Sequence, residues 1–232
     1  MSAGDMIMQA PRKRDYSPQR FRLTWAVAAV GVLVACGNIG GDRVAGGNTS
    51  EVGNGRVLGM LYRPDGEPAR GARVKLYPSG YDPTAGGADT VAWSITDNSG
   101  AFSIRALDTG YLNLQAHLDT LGRLIDSIGV SAAADDIHVP ADTLRRFGSV
   151  SGVVRLSGPT DPFMLIRVFI GGSSYMTLTN PDSLFFLEGI PADRYDLVIH
   201  TGRTIYGGRT LSVDIPPGDT VRLDTVALYP RQ

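Results

Sequence analysis

The sequence contains itself twice. Gly55-Arg56-Val57-Leu58-Gly59 returns as Gly148-Ser149-Val150-Ser151-Gly152, and Arg73-Val74 returns as Arg167-Val168. Beyond these, an offset of 83 residues pairs Thr96 with Thr179, Phe102 with Phe185, Ile104 with Leu187, Leu107 with Ile190, Leu112 with Tyr195, Leu114 with Leu197, Ile128 with Leu211 and Val130 with Val213. An offset held across so many apolar positions implies two copies of one structural unit. It falls from 94 to 83 between Val74 and Thr96, which puts eleven extra residues into a loop of the first copy, roughly Pro78 to Thr90.

Each copy reads as short alternating runs separated by turn residues, the pattern of an all-β sandwich. Ala72, Val74 and Leu76 form one inward set, and Val91, Trp93 and Ile95 are expected to form another, which makes Trp93 a core residue. Arg63-Pro64-Asp65-Gly66 and Asp97-Asn98-Ser99-Gly100 supply turns, with proline presetting φ and glycine taking positive φ. No stretch carries the periodicity of a long amphipathic helix. The expected organisation is two tandem Ig-like or prealbumin-like sandwiches, 55–146 and 147–232, joined through Asp142 to Phe147.

The first copy shows Gly55-x-Val57-x-Gly59, then Asp65-Gly66-Glu67-Pro68, Gly71-Ala72-Arg73-Val74, Thr96-Asp97-Asn98-Ser99-Gly100-Ala101-Phe102 and Gly110. This order resembles the carboxypeptidase regulatory-like, or prealbumin-like, domain of bacterial envelope proteins, which is classed with a carbohydrate-binding-like fold. The second copy is degenerate, since Asn180-Pro181-Asp182-Ser183 replaces the Asp-x-x-Gly turn and Asp193 stands where Gly110 did, while Tyr195 and Leu197 keep the strand. These are turn and core residues, so the resemblance implies a fold and leaves the chemistry open.

Ahead of the repeats, Arg12, Lys13, Arg14, Arg20 and Arg22 precede the apolar run Leu23 to Ala35, the charged-then-greasy order of a secretory signal. Thirteen residues cover about 20 Å as a helix, short of the roughly 30 Å hydrocarbon layer. Leu33-Val34-Ala35-Cys36-Gly37 resembles the lipobox of bacterial lipoproteins, which implies removal of 1–35 and lipidation of Cys36. In that family's pattern for two-membrane bacteria, the lack of Asp after the cysteine implies outer-membrane sorting, with the leaflet unspecified. Met6 and Met8 stand as alternative starts to Met1. Residues 36–54 are rich in Gly and Asn and lack apolar periodicity, so they read as a flexible tether.

Composition narrows the chemistry. The chain has 22 basic and 23 acidic residues, and five basic and two acidic ones precede Cys36, leaving 17 against 21 and no electrostatic reason to bind nucleic acid. A single cysteine excludes an internal disulfide framework. His117, His138 and His200 begin no H-x-x-E or H-E-x-x-H pattern, and G-x-S-x-G is missing, so no catalytic residue, metal or cofactor is expected. His117 and His200 are repeat equivalents and read as structural. The acidic turns read as plain turns in place of Ca²⁺ loops, and Lys75 alternates outward, away from any internal crosslink.

Three tyrosines are expected at the surface as ligand contacts: Tyr81 in the inserted loop, Tyr175 opposite Ala92 in the repeat, and Tyr206 beside Gly207-Gly208. On the first strand the outward side, Leu58, Met60 and Tyr62, is apolar and calls for a cover, either the adjoining domain, the inserted loop or a partner. The function expected is non-catalytic: a lipid-anchored envelope protein presenting sandwich modules to a glycan or an envelope protein. The alternative is a spacer or accessory subunit of an outer-membrane complex.

Overall fold

The computed structural model describes residues 55–85, 91–131, 136–158, 165–202 and 205–231, and every regular element named among them is a β-strand. The expected leader, Cys36 and the tether lie outside the described residues. The first copy supplies β1 (Arg56–Tyr62), β2 (Arg73–Pro78), β3 (Ala92–Ile95), β4 (Ala101–Arg105), β5 (Gly110–Leu118), β6 (Leu121–Val130), β7 (Ile137–His138) and β8 (Asp142–Thr143). The second supplies β9 (Arg145–Leu156), β10 (Ile166–Ile170), β11 (Met176–Leu178), β12 (Leu184–Pro191), β13 (Arg194–Thr201), β14 (Arg209–Asp214), β15 (Thr220–Arg222) and β16 (Val226–Leu228).

In the first copy, β4-β1-β7, with β8 also on β1, faces the ladder β3-β2-β5-β6; in the second, β12-β9 with β15 and β16 faces β11-β10-β13-β14. Much of the strand pairing repeats between the two copies. Arg73 lies opposite Ile95 and His117, and Arg167 lies opposite Leu178 and His200. The Thr96 N–H donates to the Ala72 carbonyl at 2.9 Å and the Thr179 N–H to that of Ile166 at 3.0 Å, spans of 24 and 13 residues whose difference is the eleven-residue insertion. Phe102 sits opposite Gly59 and Phe185 opposite Gly152. A Cβ on Gly59 would lie 2.5 Å from the Phe102 ring, and one on Gly152 2.8 Å from that of Phe185, so the recurring glycine exists to seat the recurring phenylalanine.

Three of the expected repeat pairs are displaced: Ile128 with Leu211, Val130 with Val213, and Leu107 with Ile190. Leu112 faces Ile128 and Tyr195 faces Val213, so Val213 corresponds to Ile128 and not to Val130. The cause is the hairpin connection: Ala116 pairs with Arg123, whereas its equivalent Ile199 pairs with Arg209, so the second hairpin holds three more residues, and a bulge that sets Asp126 and Ser127 of β6 against the single residue Asn113 takes one of them back. Leu107 is exposed whereas Ile190 is buried, because β4 stops at Arg105 and β12 runs on to Pro191 past an irregularity.

Two hydrophobic cores form, one around Val57, Leu61, Val74 and Leu114, the other around Val150, Val168, Leu197 and Ile199. The expected link between them does not exist as a loop. Asp142 and Thr143 pair with β1, Leu144 is buried in the first core, Arg145 and Arg146 pair with β6, and the same strand continues into the second sandwich. One sheet, β12-β9-β6-β5-β2-β3, therefore runs through both copies, and Leu124 of β6 packs into the second core.

The junction is also held by polar groups. Arg123 binds Asp142 at 2.7 Å and also Asp193 of the second copy, which Arg145 reaches at 2.8 Å. Burial pushes the Asp193 carboxyl up, but the Arg194 N–H and the two guanidinium groups outweigh it and hold it below the usual carboxylate range. The inserted loop joins in, as the Gly172 N–H donates to the Tyr81 carbonyl at 2.8 Å.

Candidate binding face

The sequence-level candidates land differently from expectation. Tyr175 is 8 % exposed and Tyr206 2 %, both within the second core, so neither ring is offered to a ligand. Burial pushes the Tyr175 phenol well above its ordinary range. Tyr206 is covered by the C-terminal segment, with which it bridges at Pro230. Tyr81 is half-buried, its ring centroid 5.0 Å from that of Tyr77, and its backbone fastens the loop to the second sandwich. Leu58, Met60 and Tyr62 are half-buried, with the Tyr62 hydroxyl 2.8 Å from the Met60 sulfur. The bonds between the sandwiches described above run through Tyr81, Arg123, Arg145 and Asp193 and not through this strip, whose reading as a partner or interdomain contact stays a proposal.

Trp93 reverses most plainly: it is 60 % exposed and Ile95 53 %. Residues directly opposite on neighbouring strands share a face. Trp93 pairs with Lys75 and Ile95 with Arg73, whereas Ala92 and Ser94 pair with the buried Leu76 and Val74. Alternation had given the period of β3 correctly and its sign wrongly, and a change of sign turns every side chain over. The same error misplaced Tyr175 through its equivalence to Ala92. The structure sets the sign at Thr96 and Thr179, which are equivalent and buried, Trp93 having the opposite parity to Thr96.

The corrected parity assembles a face that no single segment displays. Across β3, β2 and β5, one row reads Trp93, Lys75, Gln115 and the next Ile95, Arg73, His117. The Arg73 guanidinium carbon lies 6.0 Å from the Trp93 ring centroid. Gln115 is fixed by the second sandwich: its Nε2 donates to Ser174 Oγ at 2.8 Å and its Oε1 accepts the Ser174 N–H at 2.9 Å. His117 stacks on Phe147 with centroids 5.2 Å apart. A cleft of about 550 Å³ lies here, lined by Arg73, Lys75, Gln115, His117, Asp119 and Ser174 among others, with Trp93 on the strand beside it.

In the second copy the equivalent rows read Met176, Phe169, Val198 and Leu178, Arg167, His200. Phe169 there is buried against the His200 ring, edge to face at 5.4 Å, and Asp82 of the inserted loop approaches His200 at 3.9 Å. The duplicated surface is thus apolar and approached by the loop in one copy, and cationic, aromatic and open in the other. His117 and His200 hold equivalent register positions, and among the described residues no group of three or more metal-ligating side chains comes together.

No family model and no curated protein matches the chain. Among solved structures it is similar to a type II cohesin–X-dockerin complex from Acetivibrio cellulolyticus, with 20 % identity, a TM-score of 0.31 and coverage of 36 % of this chain and 58 % of that one. It is also similar to the minor pilin GBS52 of Streptococcus agalactiae, with 12 % identity, a TM-score of 0.35 and coverage of 77 % and 97 %. The shaft pilin SpaA of Lactobacillus rhamnosus GG gives 10 % identity, a TM-score of 0.26 and coverage of 77 % and 98 %. The chain spans less than two thirds of the cohesin-complex chain it matches. What it does has to be read from its own residues.

Proposed function

We propose that this chain is an exported envelope protein, held to the outer membrane by lipid on Cys36, that acts by binding and not by catalysis, with a glycan as ligand of the β3-β2-β5 face. The resemblance to bacterial lipoproteins and to carboxypeptidase regulatory-like domains supports the anchor and the module type. One observation carries the ligand: Trp93, an indole left mostly open to solvent on a sheet face whose neighbours Lys75, Arg73 and Gln115 are polar hydrogen-bonding groups. A flat aromatic surface flanked by such groups suits a sugar ring, which offers an apolar C–H face and polar edges. Detergent-extracted full-length protein on a glycan array is expected to bind a restricted set of glycans, with Trp93→Ala weakening binding about tenfold or more at unchanged thermal stability. A blank array refutes the reading. The anchor is checked separately, as Cys36→Ala is expected to lose palmitate-analogue labelling and leave the membrane fraction.

A second reading, an accessory subunit, is favoured by the outer face of β12 and β9. Leu184 and Phe186 are exposed there beside Val153 and Arg222, lining a groove of about 790 Å³. Val153 is the repeat equivalent of Met60, whereas Ser151 and Arg155 stand where the first copy has Leu58 and Tyr62. If this reading is the right one, Phe186→Asp removes co-purifying envelope proteins and Trp93→Ala leaves them in place.

A further inference from the structure

We infer that the ligand of the Trp93 face is an anionic saccharide, a sugar ring bearing a carboxylate or an ester of sulfate or phosphate; this rests on the glycan reading above and narrows it. Arg73 and Lys75 stand two residues apart on one face of β2, about 7 Å along the strand, and His117 faces Arg73 from β5. Among the described residues neither Arg73 nor Lys75 is in an ion pair, and Asp119 is the one acidic side chain lining the cleft. Two like charges so close repel, and an anion between them relieves the repulsion while forming charge-assisted hydrogen bonds.

This local field is not a by-product of an excess of basic residues, because the whole chain carries 22 basic against 23 acidic groups. Nor does it follow from the fold, since the second copy keeps only Arg167 and His200 of the set and replaces Lys75 by Phe169 and Trp93 by Met176. Where the surface is apolar the inserted loop approaches it, and where it is open the cations and the indole stand together. An oxyanion would lie against Arg73 and Lys75 while the ring that carries it stacks toward Trp93, one strand away.

The test uses detergent-extracted full-length protein and four probes: a polyuronate, a sulfated dextran, a neutral cello-oligosaccharide and oligo-deoxythymidylate. The polyuronate or the sulfated dextran is expected to bind with an affinity that falls as salt rises. Lys75→Met and Arg73→Gln are each expected to weaken that binding about tenfold, with the unfolding temperature as the check on folding. Trp93→Ala is expected to weaken it as well. Binding of the neutral oligosaccharide as tightly as the charged ones, without salt dependence, overturns the anionic assignment and leaves the glycan reading standing. Failure of all three saccharides overturns both. Oligo-deoxythymidylate binding as tightly as the polyuronate shows a general anion surface and overturns the saccharide assignment.

Discussion

Ser183 occupies the position of Gly100 and adopts the same left-handed backbone, φ +63° against +78°. Around it the turn is conserved in physics though not in letters. Asn180 Oδ1 accepts the Leu184 N–H at 2.8 Å, as Asp97 Oδ1 accepts that of Ala101 at 3.0 Å, and the Ser183 and Gly100 N–H groups close back onto the carbonyls of residues 180 and 97. A non-glycine residue pays about 1–2 kcal/mol for that conformation, and at Gly100 a side chain is excluded outright, its Cβ falling 2.3 Å from the Leu61 carbonyl oxygen. Ser183→Gly is therefore expected to stabilise the protein by about 1 kcal/mol, read as a higher urea midpoint with unchanged slope. Gly100→Ser, the reverse exchange in the other copy, is expected to destabilise by more than that gain.

At the scale of elements, the informative one is β9, which is shared between copies. Its first two residues complete the sheet of the first sandwich at Leu121 and Gly122, and from Phe147 onward it belongs to the second. The join is reinforced where the turn before β13 places Asp193 between Arg123 and Arg145. Because the folded state holds the Asp193 carboxyl below its usual range, its stabilising contribution is present in full above the unfolded value of about 3.9 and disappears as pH falls through the lower folded value. Asp193→Asn is expected to cost about 1–2 kcal/mol at neutral pH. The gap from the parent protein is expected to close as urea titrations are carried down toward pH 3. A gap that stayed constant with pH would assign the loss to packing and not to charge.

For the whole molecule, the continuous sheet makes two cores behave as one. Leu124 from the first copy fills the second core, and the Gln115–Ser174 bonds, the Tyr81–Gly172 bond and the Arg123 cluster all cross the junction. Neither sandwich can unfold without stripping partners from the other, so calorimetry on the full chain is expected to show a single cooperative transition. Two resolved peaks would mean that the shared strand does not couple the cores. The coupling also bears on binding, since Ser174 of the second sandwich fixes Gln115 in the candidate face of the first, and Ser174→Ala is accordingly expected to weaken ligand binding more than it lowers stability.

The sequence alone determined the strand-built class, the duplication, the place and length of the insertion, and the turn and glycine positions, because these depend on spacing and on local backbone rules. It also carried the partial match of the second turn, where Asn and Ser substitute for Asp and Gly. Tertiary structure alone decided which side of β3 faces outward, that the linker is a strand, and that the inserted loop fastens the sandwiches together. Alternation fixes the period of a strand without its sign, and the sign is set by the residue opposite, here Lys75 and Arg73 across from Trp93 and Ile95. The candidate face draws its residues from β2, β3 and β5, which lie as much as 44 positions apart in the chain, from Arg73 to His117, so only pairing in the sheet brings the indole and the cations together.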